Sequence, residues 1–230
     1  MKSKSKKSNN VGLLYLKTYN LLQVFGWSYI LYKFVVNDFS STTEANLWQN
    51  VKWPVVIFQH AALLEIIHAA TGLVKSNPVL TTFQVFSRII VVSGVLLATP
   101  NNYAASSHGL PLAILAWSIT EIIRYLFYYM NLNEFVPYFL TWLRYTLFIV
   151  LYPIGVTGEL LCIYSAVNYA NSHPEFWSYK LPNSWNFIFS YYFILITIML
   201  SYIPLFPQLY LHMFAQRRKI IGGETSKKVN

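Results

Sequence analysis

Long apolar runs separated by short polar stretches organise this chain. Crossing about 30 Å of hydrocarbon as a helix takes about 20 largely apolar residues. Runs of that kind fall at residues 11–36, 51–74, 79–99, 110–130, 138–167 and 184–213. The pattern predicts an all-α, polytopic transmembrane helix bundle of about six spans, the second and fifth of which carry the most polar residues. The chain then divides into a basic tail (1–10), a six-span membrane domain (11–213) and a second basic tail (214–230). Neither an internal repeat nor a low-complexity block interrupts this organisation beyond the short Lys/Ser start.

Composition supports the membrane reading. The chain is 55% hydrophobic and 18% aromatic, with only 11% charged residues, where a soluble domain carries about a quarter. The net charge of +9 gathers at the ends, in Lys2, Lys4, Lys6 and Lys7 and again in Arg217, Arg218, Lys219, Lys227 and Lys228. Flanking apolar spans, such tails follow the positive-inside rule. Nucleic acid is not the expected partner, because a basic patch needs a soluble fold to display it. With the N-terminus in the cytosol, the acidic loop 37–50 and the loops 100–109 and 168–183 become lumenal. Lys75, loop 131–137 and both termini are then cytosolic. The apolar run 11–36 is too long for a signal-peptide core and lacks a clear cleavage site, so it reads as a retained span. Lys227 and Lys228 stand fourth and third from the C-terminus, the pattern of a dilysine endoplasmic-reticulum retrieval signal, although a plain solvated tail has the same composition. Cys162 is the sole cysteine and excludes an intrachain disulfide.

One span carries the most informative chemistry. Residues 143–164, LRYTLFIVLYPIGVTGELLCIY, hold Arg144, Tyr152 and Glu159 in a segment otherwise apolar enough for a bilayer. Ionisable groups inside a span are costly and mark functional sites by default. Tyr152 and Glu159 are seven residues apart, about two helical turns, so they leave the helix on nearly the same face. A phenol and a carboxylate so aligned suit proton transfer to and from one substrate. Pro153 removes a backbone hydrogen bond, while Gly155 and Gly158 remove bulk, making room for a ligand or a close helix partner. The competing reading is a kinked packing helix with a satisfied Glu.

Further costly groups are Glu65, His68, Arg88, Glu121, Arg124 and Arg144, which also serve as interhelical glue in the plainer reading. Glu121 and Arg124, at i,i+3, are expected to pair within their own helix. Glu65-x-x-His68 has the spacing of a di-iron ligand pair, but no second copy exists and the five histidines do not cluster, so no metal is expected. Cysteine-phosphatase chemistry fails because Asn168, not arginine, lies six positions after Cys162. Phosphate-binding glycine loops and the nucleophile elbow are absent.

The stretches FQHAALLEIIHAATGLV, QVFSR, WSITEIIRY, LRYTLFIVLYPIGVTGE and SYIPLFPQLYLHMFAQRRK resemble the very-long-chain (3R)-3-hydroxyacyl-CoA dehydratase family, also called protein tyrosine phosphatase-like A proteins. The likeness extends from Tyr15 onward. It implies a six-span protein of the endoplasmic-reticulum membrane that dehydrates 3-hydroxyacyl-CoA in the third step of fatty-acid elongation. It places the catalytic pair on Tyr152 and Glu159, with supporting positions at Glu65, Gln84, Arg88, Arg124 and Arg144. Implied partners are the acyl-CoA substrate, membrane lipid and the other elongation enzymes (elongase, ketoacyl-CoA reductase, enoyl-CoA reductase). No cofactor is expected, because dehydration is redox-neutral. Glu159 as base and Tyr152 as acid is the first assignment; Glu159 polarising Tyr152, or entering protonated as the acid, fits the sequence equally. Arg144 and Lys75 are placed to meet the CoA phosphates at the cytosolic face. A non-catalytic scaffold for elongation enzymes is the alternative from another class. A small-solute transporter would show symmetrical halves with paired broken helices, and the chain has neither.

Overall fold

The computed structural model describes the backbone of residues 2–40 and 44–227 and the side chains of residues 11–36 and 47–222. The dilysine ending therefore lies outside the described side chains. In chain order the helices are α1 (Lys2–Ser40), α2 (Glu44–Ala61), α3 (Leu63–Ala70), α4 (Pro78–Ile89) with a π-helical continuation (Ile90–Leu97), α5 (Gly109–Leu132), α6 (Tyr138–Arg144), α7 (Phe148–Ser172) and α8 (Tyr191–Lys227). Two short 3₁₀ turns lie between the π-helical stretch and α5. Among the described residues no strand forms beyond one isolated antiparallel bridge, Tyr179 with Phe189, as the all-α expectation requires.

Among the described residues, five stretches are long and apolar enough to cross a membrane: Leu47–Ala70, Pro78–Leu97, Gly109–Leu132, Tyr138–Ser172 and Tyr191–Gly222. They correspond to the second through sixth predicted spans. The first lies in α1, which has ample length at 39 residues but a mean hydropathy diluted by residues such as Lys17, Asn20, Gln23 and Lys33. The polar residues of α1 have an inward use. Asn20 and Gln23 are buried, and Gln23 bonds both Tyr19 and the Phe58 carbonyl of α2.

Span boundaries moved where local chemistry competed with apolarity. The last span starts at Tyr191 rather than residue 184. Asn183 accepts from the backbone of Trp185 and Phe187 (3.0 and 3.3 Å), and Tyr179 exchanges backbone bonds with Phe189 (2.8 and 3.1 Å). Those bonds commit residues 184–190 to a turn and leave the helix to begin after it. At the other end of a span, Asn77 caps α4 by accepting from Val79 N at 2.9 Å, with Pro78 in the first helical position.

The bundle is centred on α5, which packs along both α1 and α7, while α8 packs on α7. The α5–α7 seam is built from small residues. A Cβ on Gly158 would come within 2.6 Å of Ala113 N and 2.7 Å of the Gly109 carbonyl, so only glycine permits this approach. The room left by Gly155 and Gly158 is therefore filled by a helix partner. Pro153 has a parallel outcome. It has no N–H to give Ile149 four residues back, and the Tyr210 hydroxyl of α8 donates to that Ile149 carbonyl at 2.9 Å instead. Two features that interrupt α7 thus become its docking points for α5 and α8. Large exposed apolar side chains on α8 (Phe193, Leu200, Ile203, Leu211) face away from this contact, as a lipid-facing surface does.

Candidate active site

One face of α5 organises the polar interior. Trp117, Glu121, Arg124 with Tyr125, and Tyr128 recur at three- and four-residue steps, which keeps them on a single stripe. Each reaches a different neighbouring helix, and together they engage every sequence-predicted site residue except Gln84 and Tyr152.

Trp117 and Glu159 mark one end of the stripe. Glu159 is buried on α7. The Trp117 indole donates to its Oε1 at 2.8 Å, and the Tyr202 hydroxyl of α8 bonds its Oε2 at 2.7 Å. A buried carboxyl group requires such partners, since an unpaired one would be expensive in an apolar interior. Tyr152, two turns earlier on the same helix, is half-buried and stacks on Phe206 (5.1 Å between ring centres, planes within 7°) and on Tyr210 (5.8 Å, 9°). Its phenol lies within electrostatic range of Glu159 and of Arg88, and Tyr202 is in range of Glu159, Tyr152 and Arg88. Among the described residues Tyr152 and Glu159 share no hydrogen bond. Both lie on α7, with the Tyr152 hydroxyl bonded to no described residue and both Glu159 oxygens held.

The middle of the stripe is an ion network. Arg124 forks onto Glu65 of α3 through Nη1–Oε2 at 3.1 Å and Nη2–Oε1 at 2.9 Å. Its Nε donates to Glu121 Oε2 at 2.8 Å, the intrahelical pair expected from the i,i+3 spacing. Arg88 of α4 donates to the other Glu121 oxygen, and Tyr125 donates to Glu65. Two guanidinium groups and two carboxylates therefore balance within one hydrogen-bonded cluster spanning α3, α4 and α5. Such fork-to-fork geometry is the strong form of the interaction. Glu65 and His68 do not converge on a common point: Glu65 is held by Arg124, while His68 Nε2 meets the Tyr15 hydroxyl at 2.9 Å. Among the described residues no group of three His, Cys, Asp or Glu side chains gathers to hold a metal.

At the far end, Arg144 donates to the Tyr128 hydroxyl at 3.0 Å. Its guanidinium lies over the rings of Phe127 and Tyr128 at 4.7 and 4.6 Å. A planar, delocalised cation suits this aromatic seat better than an ammonium group would. Gln84 departs from the rest. It is exposed on α4, one turn before Arg88, and joins none of these contacts. A cavity of about 290 Å³, lined by Asn171, Tyr179, Lys180 and Phe193 among others, lies by the loop between α7 and α8 and not at the Tyr152–Glu159 pair.

Sequence reasoning missed Trp117 and Tyr202. Trp117 carries no charge to flag it, and Tyr202 is one of 18 tyrosines. The available signal was periodicity: Tyr202, Phe206 and Tyr210 form an aromatic row at i,i+4 spacing on α8.

The architecture defines a membrane-embedded helical bundle that keeps a buried carboxyl group beside two phenols. The family model described as protein tyrosine phosphatase-like protein, PTPLA, matches residues 59–223. The chain belongs to this family. It is 46% identical over 215 residues to the very-long-chain (3R)-3-hydroxyacyl-CoA dehydratase hpo-8 of Caenorhabditis elegans, covering 93% of this chain and 97% of that one. Dehydratase 2 of Homo sapiens is 45% identical over 214 residues, covering 93% of this chain and 83% of the human one. Dehydratase PASTICCINO 2A of Oryza sativa is 39% identical over 211 residues, covering 91% and 93%. No solved structure matches.

Proposed function

We propose that this chain dehydrates very-long-chain (3R)-3-hydroxyacyl-CoA to trans-2-enoyl-CoA, the third step of the fatty-acid elongation cycle. The family and its relatives' names support the reaction class. The observation that carries the residue assignment is the buried, doubly hydrogen-bonded Glu159 with the uncommitted Tyr152 phenol on the same helix face.

In this reading the acyl chain lies in the apolar interior with its thioester between α7 and α8. Glu159 takes a proton from C2, which the thioester carbonyl acidifies. Electrons from that C–H bond form the C2–C3 double bond as the C3–O bond breaks. Tyr152 donates its proton to the departing hydroxyl, which leaves as water. A phenol is suited to this because it ordinarily carries its proton at neutral pH. Proton return from Glu159 to the Tyr152 oxygen resets the site. No electrons are exchanged with a second reactant, so the chemistry calls for no redox cofactor.

Arg144 is proposed to meet the CoA phosphates. It stands at the end of α6, one turn before the helix that carries Tyr152, and its forked donors suit phosphate. Arg144→Ala is expected to raise KM for acyl-CoA about tenfold while kcat stays within about twofold. An unchanged KM in steady-state assays would remove Arg144 from substrate binding. Arg88, Arg124 and Glu65 are assigned to holding the frame around the site, and Gln84 to contact with substrate from the exposed side of α4.

The protein is further proposed to reside in the endoplasmic-reticulum membrane with both termini cytosolic, beside the other elongation enzymes. The basic segments flanking the first and last spans support that placement. Purified protein given 3-hydroxyacyl-CoA of graded chain lengths tests the activity. Formation of the 2-enoyl product is expected, and its absence at every length would overturn the reading.

A further inference from the structure

Both oxygens of Glu159 are held by residues to which the acid–base pair assigns no task. Trp117 Nε1 donates to Oε1 at 2.8 Å, and Tyr202 is bonded to Oε2 at 2.7 Å. The two contacts differ in kind. An indole N–H is only a donor, so Oε1 must accept from it whatever the protonation state of the carboxyl group. A phenol hydroxyl both donates and accepts. A hydroxyl oxygen is the weaker acceptor for that N–H, so a proton taken up by Glu159 is favoured on Oε2, where Tyr202 can turn from donor to acceptor and keep the bond.

The partners come from two separate helices, and neither is easily displaced. Trp117 is 2% exposed on α5, next to the Gly158 seam that fixes the distance between α5 and α7. Tyr202 sits on the aromatic row of α8, whose next members, Phe206 and Tyr210, stack on Tyr152. The row thus connects to both members of the pair: Tyr202 holds the carboxyl group and Phe206 and Tyr210 hold the phenol ring.

We propose that Tyr202 is a positioning residue for the reaction, which with Trp117 clamps the plane of the Glu159 carboxyl group and makes Oε2 the oxygen that takes the C2 proton. The proposal rests on Glu159 being the base. It assigns α8 a role in catalysis beyond enclosing the acyl chain, because the helix sets the orientation of both groups that move protons.

Tyr202→Phe removes one hydroxyl and keeps the ring. The expected result is a fall in kcat of about 10–100-fold, the scale of a small misplacement of a reacting group, with KM for acyl-CoA unchanged. A double-mutant cycle separates positioning from independent action. Measured with enzyme in excess so that slow rates are readable, Tyr202→Phe combined with Glu159→Gln is expected to be no slower than Glu159→Gln alone. Wild-type kcat in Tyr202→Phe, beside an inactive Glu159→Gln, would overturn the clamp and leave the base assignment standing. Losses that multiply in the double variant would also overturn it. Wild-type kcat in Glu159→Gln would overturn both.

Discussion

Tyr152→Phe is expected to lower kcat for dehydration by about 10²–10⁴-fold, the range associated with losing a general acid, with little change in the unfolding midpoint. The two halves of that expectation have separate structural grounds. Stability is spared because the ring is held by stacking on Phe206 and Tyr210. Its hydroxyl serves no described residue as a hydrogen-bond partner, so its removal strands no buried group. Activity is expected to fall because the proposed pair assigns Glu159 as the base and Tyr202 is already bonded to it, which leaves Tyr152 to protonate the leaving hydroxyl. Turnover assays beside thermal unfolding in detergent read both quantities, and full activity in the variant would remove Tyr152 from the chemistry.

Arg124→Ala carries the largest expected cost in stability. Arg124 gives two bonds to Glu65 and one to Glu121, so truncation leaves both carboxylates without their shared partner. Glu121 keeps Arg88, but Glu65 then has only hydroxyl donors, from Tyr125 and Tyr19. Breaking a buried pair by removing one partner costs on the order of 3–5 kcal/mol, which is the upper bound for this partly buried pair. The unfolding midpoint should fall by roughly 10 °C at the scale seen for chains of this size. Arg124→Lys should recover only part of this, since an ammonium group cannot reproduce the fork. An unchanged midpoint for Arg124→Ala would mean that the network adds nothing to the bundle.

These two sites also mark how far the sequence could be read. That Tyr152 and Glu159 share one helix was legible because a single apolar run carries both. The intrahelical Glu121–Arg124 pair was legible for the same reason. Links between helices were not: Arg124 to Glu65, Arg88 to Glu121 and Trp117 to Glu159 depend on the register of α5 against its neighbours. That register is fixed by the Gly109–Gly158 approach, and periodicity within one element contains no information about it. Pro153 was readable as an interruption, but its partner Tyr210 was not, since the phenol arrives from a helix 57 positions later in the chain. The extended first helix has its own reason. The inward polar face of α1 lowers its hydropathy, so it is not among the five most apolar described stretches although its length and packing put it in the bundle, as the apolar run 11–36 predicts.

The measurement that bears most directly on the account is the turnover of 3-hydroxyacyl-CoA by Glu159→Gln beside the wild-type protein, with folding checked on the same samples. Enoyl product is expected from the wild type, and the variant should keep its unfolding midpoint yet turn over at least about 100-fold more slowly. A folded Glu159→Gln protein that dehydrates the substrate at the wild-type rate would contradict it.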